Sequence, residues 1–188
     1  MTAKILYSVE NDRLNKLIRS LFYITASTRE GITPSVIYNI ISFEDINLWN
    51  ENKDFILEDL GISFKILKEE EKILTLLFYK KSLLEKKLNN KRIQEFLIHI
   101  GYPKDVSLEE YLNHLSKRYN VYNFPHEIGL FLGYPLKDVY GFIENKGKNY
   151  IACKYWKVYH NKNHALRVFD EIDKAKENAM RTLTLALI

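Results

Sequence analysis

The chain has 188 residues, 46% of them hydrophobic and 28% charged, with a formal net charge of +4. That balance excludes general disorder, and seven glycines with four prolines exclude a collagen-like or linker-like chain. The longest apolar runs, such as Ile73 to Tyr79 and Ile128 to Leu132, are far shorter than the roughly 18 to 20 residues that cross a bilayer, so no membrane association is expected.

Met1 to Val9 leads directly into Glu10, Asp12 and Arg13 rather than into an apolar region with a small-residue cleavage site, so no signal peptide is predicted. The single cysteine, Cys153, excludes an intrachain disulfide and any multi-cysteine metal centre. These readings predict one soluble, cytoplasmic domain over residues 1–188. Charge is concentrated: between Gly141 and Ala165 stand five lysines and one glutamate, which accounts for the whole net charge.

Leu14, Leu17, Ile18, Leu21 and Phe22 recur at helical spacing and predict an amphipathic helix over Asn11 to Ile24, broken at Ser27 to Gly31. Pro34 suits the first turn of a short helix over Ser35 to Ile41. A further helix is predicted from Glu44 to Leu60, stopped by Gly61. Ile62 to Leu67 and Ile73 to Tyr79, separated by a charged loop, read as a β-hairpin. Helices follow at Ser82 to Leu88 and Lys91 to Ile100, and the Ser107/Glu110 capping box starts another that runs to about Tyr119.

Between Phe124 and Tyr150 lie four of the seven glycines and two of the four prolines. Short helices are expected there at Pro125 to Leu132 and Leu136 to Asn145. Tyr150 to Tyr159 alternates and reads as a strand. A closing helix is expected from Asn163 to Leu187, with Leu166, Phe169, Ile172, Ala179, Met180 and Leu183 inward. Gly101-Tyr102-Pro103 echoes Gly133-Tyr134-Pro135, and both read as one helix-turn-helix connector used twice. The fold class is therefore α+β, mostly helical, with a small antiparallel sheet made of the hairpin 62–79 and the strand 150–159.

Three groups of residues could carry chemistry. His126 and Glu127, at a predicted helix start, could act as an acid/base pair, although adjacent helical residues point about 100° apart and would need a third group to converge. The alternative is that both serve locally, Glu127 at the positive end of the helix dipole. Cys153 stands among lysines that could lower a thiol pKa, but the alternation puts it with Ile151 and Tyr155 on one face, away from Lys154, Trp156 and Val158, which equally suits a core cysteine. Lys148, Lys154 and Lys157, interleaved with Tyr150, Tyr155 and Trp156, supply the cations and stacking faces of a nucleotide or single-strand binding surface, though without arginine. His160 and His164 stand four apart with no third ligand nearby, so no metal site is assigned. The P-loop, dinucleotide, zincin and GxSxG patterns are all missing.

The block Phe124-Pro125-His126-Glu127-Ile128-Gly129-Leu130-Phe131-Leu132-Gly133-Tyr134-Pro135, with Asp138-Val139, Gly141-Phe142-Ile143, Asn145-Lys146-Gly147-Lys148-Asn149-Tyr150 and Trp156-Lys157-Val158-Tyr159, resembles an uncharacterised family from anaerobic, low-GC Firmicutes known only as a domain of unknown function. The resemblance extends more loosely over most of the chain. It implies no established reaction, cofactor or catalytic residue, and suggests a setting near flavodoxin-like and iron-handling functions. Thr25 stands where that family commonly has cysteine, and Lys154 where it tends to have glycine, so paired-thiol chemistry would not be available here in the same way.

Whether the chain is an enzyme, and with which cofactor, is left open by these residues. The leading expectation is a small-ligand protein, enzyme or not, tied to redox or metal physiology. Its catalytic candidates are His126, Glu127 and Cys153, and its ligand-binding candidates are Tyr134, Lys148, Lys154, Trp156 and Lys157. Replacing His126 or Glu127 by alanine is then expected to lower ligand affinity without lowering stability. The alternatives are a partner of a redox protein and a nucleotide or single-stranded nucleic-acid module over residues 146–162.

Overall fold

Alternation along one central strand organises the molecule, whose computed structural model describes residues 11–185. Strand β3 (Ile73–Tyr79) pairs antiparallel with β1 (Ser35–Ile40) on one side and β2 (Ser63–Glu70) on the other, giving the order β1-β3-β2. Leu74, Leu76 and Phe78 enter one core cluster, while Leu77 enters a second. A register shift between Ile66 and Lys68 opposite β3 accompanies the burial of Leu67 in the second cluster.

The first cluster is covered by α1 (Asp12–Ile24), the one-turn α2 (Ala26–Arg29), which begins where the sequence predicted a break, α3 (Phe43–Leu60) and α9 (Lys162–Leu185). Helix α1 buries the five predicted apolar residues, and Asn11 caps it by accepting from the N–H groups of Arg13 and Leu14. Trp49 of α3 sits edge-on to Phe64 and Phe78, at 5.3 and 5.5 Å between ring centroids. Gly61 ends that helix in the left-handed region, as the sequence suggested. The second cluster is covered by α4 (Lys81–Leu88), α5 (Lys91–His99), α6 (Leu108–Tyr122) and the single turn α7 (Ile128–Phe131). The Ser107/Glu110 capping box forms in both directions. Helix α8 (Leu136–Glu144), the two-residue strands β4 (Ala152–Cys153) and β5 (Lys157–Val158), and the first half of α9 enclose a third, smaller cluster around Trp156, Val158, Ala165 and Phe169. The class is α+β, as expected.

Several elements differ from the sequence reading. Ser35 to Ile40 is a strand rather than a helix. Val36, Ile37, Tyr38 and Ile40 favour extended backbone, and Pro34 just before the strand needs no ladder hydrogen bond. Only Ile128–Phe131 of the predicted helix 125–132 is helical. Tyr150 to Tyr159 does not join the main sheet; it folds back on itself, pairing Ala152 with Val158 and Cys153 with Lys157. Its faces are also exchanged, since Trp156 and Val158 are buried while Ile151 and Cys153 are exposed. In α9 the alanines Ala165 and Ala175 face inward, whereas Leu166 and Met180 are exposed. The reading of Met1 to Val9 as no signal peptide, and the predicted end of the last helix at Leu187, lie outside the described residues.

Candidate functional site

Gly133 ends the α7 turn with φ +94°, and the N–H of Tyr134 returns to the carbonyl of Gly129 at 2.8 Å. Gly129 is required by this closure, because a Cβ there would stand 2.9 Å from the Tyr134 ring. Tyr134 is thereby directed at Trp156, with which it stacks at 5.0 Å and 24°, and its hydroxyl donates to the Tyr155 carbonyl at 3.2 Å. Burial pushes that hydroxyl up to about 12.

One carboxylate holds the folded-back segment against α8. Asp138, buried in the first turn of that helix, accepts from Trp156 Nε1 at 2.9 Å through Oδ2, and from the backbone N–H groups of Tyr159 and His160 at 2.9 Å through Oδ1. These three donors fix the side on which Trp156 lies, and so explain why the alternation of 150–159 reads reversed. From sequence, Asp138 resembles any acid placed near a helix start to complement the dipole, and nothing in the pattern marks it as buried.

Between α7, α8 and the β4–β5 hairpin lies a cavity of about 300 Å³. Six of the residues singled out from sequence line it: His126, Tyr134, Cys153, Lys154, Trp156 and Lys157. Phe124 and Phe142, which the sequence reading did not single out, complete its aromatic walls, and His126 meets Phe142 edge-on at 5.2 Å. Lys157 donates to the Gly147 carbonyl at 2.8 Å and lies over the Tyr150 and Phe142 rings, at 5.2 and 5.7 Å from their centroids. Lys154 is ion-paired with Asp173, which also accepts from the Tyr155 hydroxyl at 2.7 Å. Those two donors hold the Asp173 carboxyl below its usual range. Burial, reinforced by the hydrogen bond to Asp173, raises the Tyr155 hydroxyl.

Two predicted site residues are elsewhere. Lys148 is exposed in the turn after α8 and does not line the cavity. Glu127 is buried on the far side of α7, where it accepts from Arg118 Nε and from the Tyr102 hydroxyl, the latter at 3.2 Å. Arg118 also donates to the Ile100 carbonyl at 3.1 Å, and its guanidinium is raised by the bond to Glu127. His126 and Glu127 therefore diverge and form no acid/base pair. Trp156, with its indole N–H on Asp138 and only 9% of its surface exposed, offers no open face for a nucleic-acid base.

What remains is an aromatic-walled cavity with His126, Cys153 and Lys157 among its lining residues. Residues 21–186 match the model of a family described as protein of unknown function (DUF3793). The chain belongs to that family. The matched span takes in every residue of the cavity. No curated protein and no solved structure matches the chain. Among the described residues, no group of three or more His, Cys, Asp or Glu is placed to hold a metal ion, and no helix is long and apolar enough to cross a membrane.

Proposed function

We propose that the chain binds a small molecule in the cavity between α7, α8 and the β4–β5 hairpin, and that the ligand is largely apolar, flat and carries one anionic group. The convergence of Phe124, Phe142 and Tyr134 with Lys157 at one cavity carries this reading, with Trp156 as the buried backing of Tyr134. Its volume falls at the lower end of the roughly 300 to 1,000 Å³ typical of small-molecule sites. Aromatic walls favour a planar ring, and Lys157, held over two ring faces by a carbonyl rather than by a carboxylate, supplies the counter-charge. His126 and Cys153 at the same cavity are available to a reaction on the ligand. The single exposed cysteine suits a reducing, cytoplasmic setting.

The probe for this reading is anilinonaphthalene sulfonate, a flat apolar ring system with one anionic group. Fluorescence titration of the full chain is expected to show one saturable site. Lys157→Ala and His126→Ala should each weaken it by at least about fivefold, near 1 kcal/mol, with unchanged thermal melts. Binding that does not saturate, or that both variants retain at full strength, overturns the proposal.

A further inference from the structure

A second cavity, of about 410 Å³, lies on the other side of Asp138 and has the opposite chemistry. Lys87, Arg92, Lys137, His160 and His164 line it, and Asp138 is the one carboxylate among its lining residues. Asp138 is already committed, since its two oxygens take the Trp156 indole and two backbone N–H groups. Among the described residues, none of Lys87, Arg92 and Lys137 makes an ion pair. Lys137 Nζ instead donates to His160 Nε2 at 3.3 Å, and Lys87 Nζ donates to the carbonyls of Gly133 and Tyr134 at 2.8 and 2.9 Å.

Three cations, from α4, α5 and α8, thus face one carboxylate whose hydrogen bonds all come from neutral donors, and the surplus of positive charge is relieved by an anion. Helices α5, α8 and α9 begin around the same cavity, so their dipoles add to the positive potential that the side chains create. Arg92 offers a planar fork suited to two oxygens of one group, and the lysines and histidines offer single donors. Ile93, Pro135, Leu136 and Ala165 form the apolar remainder of the lining, leaving room for more than a bare ion.

We infer that this cavity is a phosphate site that takes inorganic phosphate or the phosphate group of a small monoester. The inference is independent of the aromatic cavity, from which it borrows no lysine or histidine.

Isothermal titration of the full chain at low ionic strength, with inorganic phosphate in one series and glycerol 3-phosphate in another, tests it. One saturable site is expected. Arg92→Ala and Lys137→Ala, both at exposed positions and checked for unchanged melting, should each weaken it at least about tenfold. Lys157→Ala should leave it unchanged. Tighter binding of glycerol 3-phosphate supports the site and assigns it to an esterified ligand, whereas equal binding supports it and assigns it to the free ion. Three results overturn the inference: no saturable heat with either compound, wild-type affinity in both Arg92 and Lys137 variants, or equal loss in Lys157→Ala, which would put the anion in the aromatic cavity.

Discussion

The two Gly-Tyr-Pro connectors are nearly the same object locally and opposite objects globally. Gly101 and Gly133 have φ of +99° and +94°. The following tyrosine N–H bonds the carbonyl five residues back in both, Leu97 at 2.9 Å and Gly129 at 2.8 Å, closing the helix end in the same way. A cation then clamps the freed carbonyls in each, Arg118 on Ile100 in the first and Lys87 on Gly133 and Tyr134 in the second. The difference is what completes the cation. Arg118 is paired with the buried Glu127, and beneath the exposed Gly101 and Pro103 of the first connector the buried Tyr102 closes on that pair. Lys87 has no carboxylate, and the second connector separates an aromatic cavity from a cationic one. The turn is set by glycine and proline, whereas its use is set by the charges packed around it.

The largest effect expected from this comparison is at Glu127. Glu127→Ala removes the carboxylate that Arg118 and the Tyr102 hydroxyl share, and removing one member of a buried ion pair costs about 3 to 5 kcal/mol. Chemical denaturation should show that loss, while His126→Ala, beside it in sequence but turned to the cavity, should change stability by less than about 1 kcal/mol. This replaces the expectation that either variant would leave stability untouched. A Glu127→Ala protein as stable as the wild type would show that the ion pair does not hold the first connector.

Next come the glycines themselves. A Cβ at Gly101 would meet nothing within 4 Å, whereas one at Gly133 would stand 2.5 Å from Pro34 Cδ. Gly101→Ala therefore costs only the left-handed backbone strain, about 1 to 2 kcal/mol. Gly133→Ala adds an overlap between the connector and the residue before β1, for a total of about 3 kcal/mol. Equal melting temperatures for the two variants would show that the second connector is not wedged against Pro34.

How much of this was readable beforehand follows from the range of the forces involved. Local signals gave correct elements: the apolar stripe of α1, the stop at Gly61, the Ser107/Glu110 box and the hairpin β2–β3 all depend on residues within a few positions of one another. Ser35 to Ile40 is a strand against its local signal, because Pro34 fits a helix start and a strand start alike and the decision comes from pairing with β3, about forty residues away. Tyr150 to Tyr159 alternates correctly but reverses its faces, because Asp138 captures Trp156 from outside the segment. The cavity residues were recognisable as a dense block of glycine, proline, lysine and aromatic side chains. Glu127 and Lys148 were grouped with them by proximity in sequence, which says nothing about the side of a helix turn on which a chain emerges. Of the cationic cavity only the pair His160 and His164 stands out in the sequence, since its other basic residues, Lys87, Arg92 and Lys137, lie far from that pair along the chain.

The smallest effect is a slope rather than a loss, and it isolates the unpaired cation. Burial lowers the Lys87 ammonium from 10.5 to about 8, with no carboxylate to oppose the shift. Below pH 8 the lysine is protonated in both the folded and the unfolded chain, so the folded protein bears the whole cost of burying the charge. Between about pH 8 and 10.5 the unfolded chain binds more protons, so stability contributed by this group rises with pH across that window. Solvent around this half-buried side chain reduces the gain to about 1 kcal/mol. Lys87→Met should lose it, so the difference in stability between wild type and variant should widen in favour of the wild type as pH rises from 8 to 10.5. Bound phosphate would hold the proton on Lys87 and flatten the same slope. A phosphate-independent slope would place Lys87 outside the phosphate's reach, leaving Arg92 and Lys137 to hold it, whereas a widening that runs the other way would mean that this lysine already has an acid beside it.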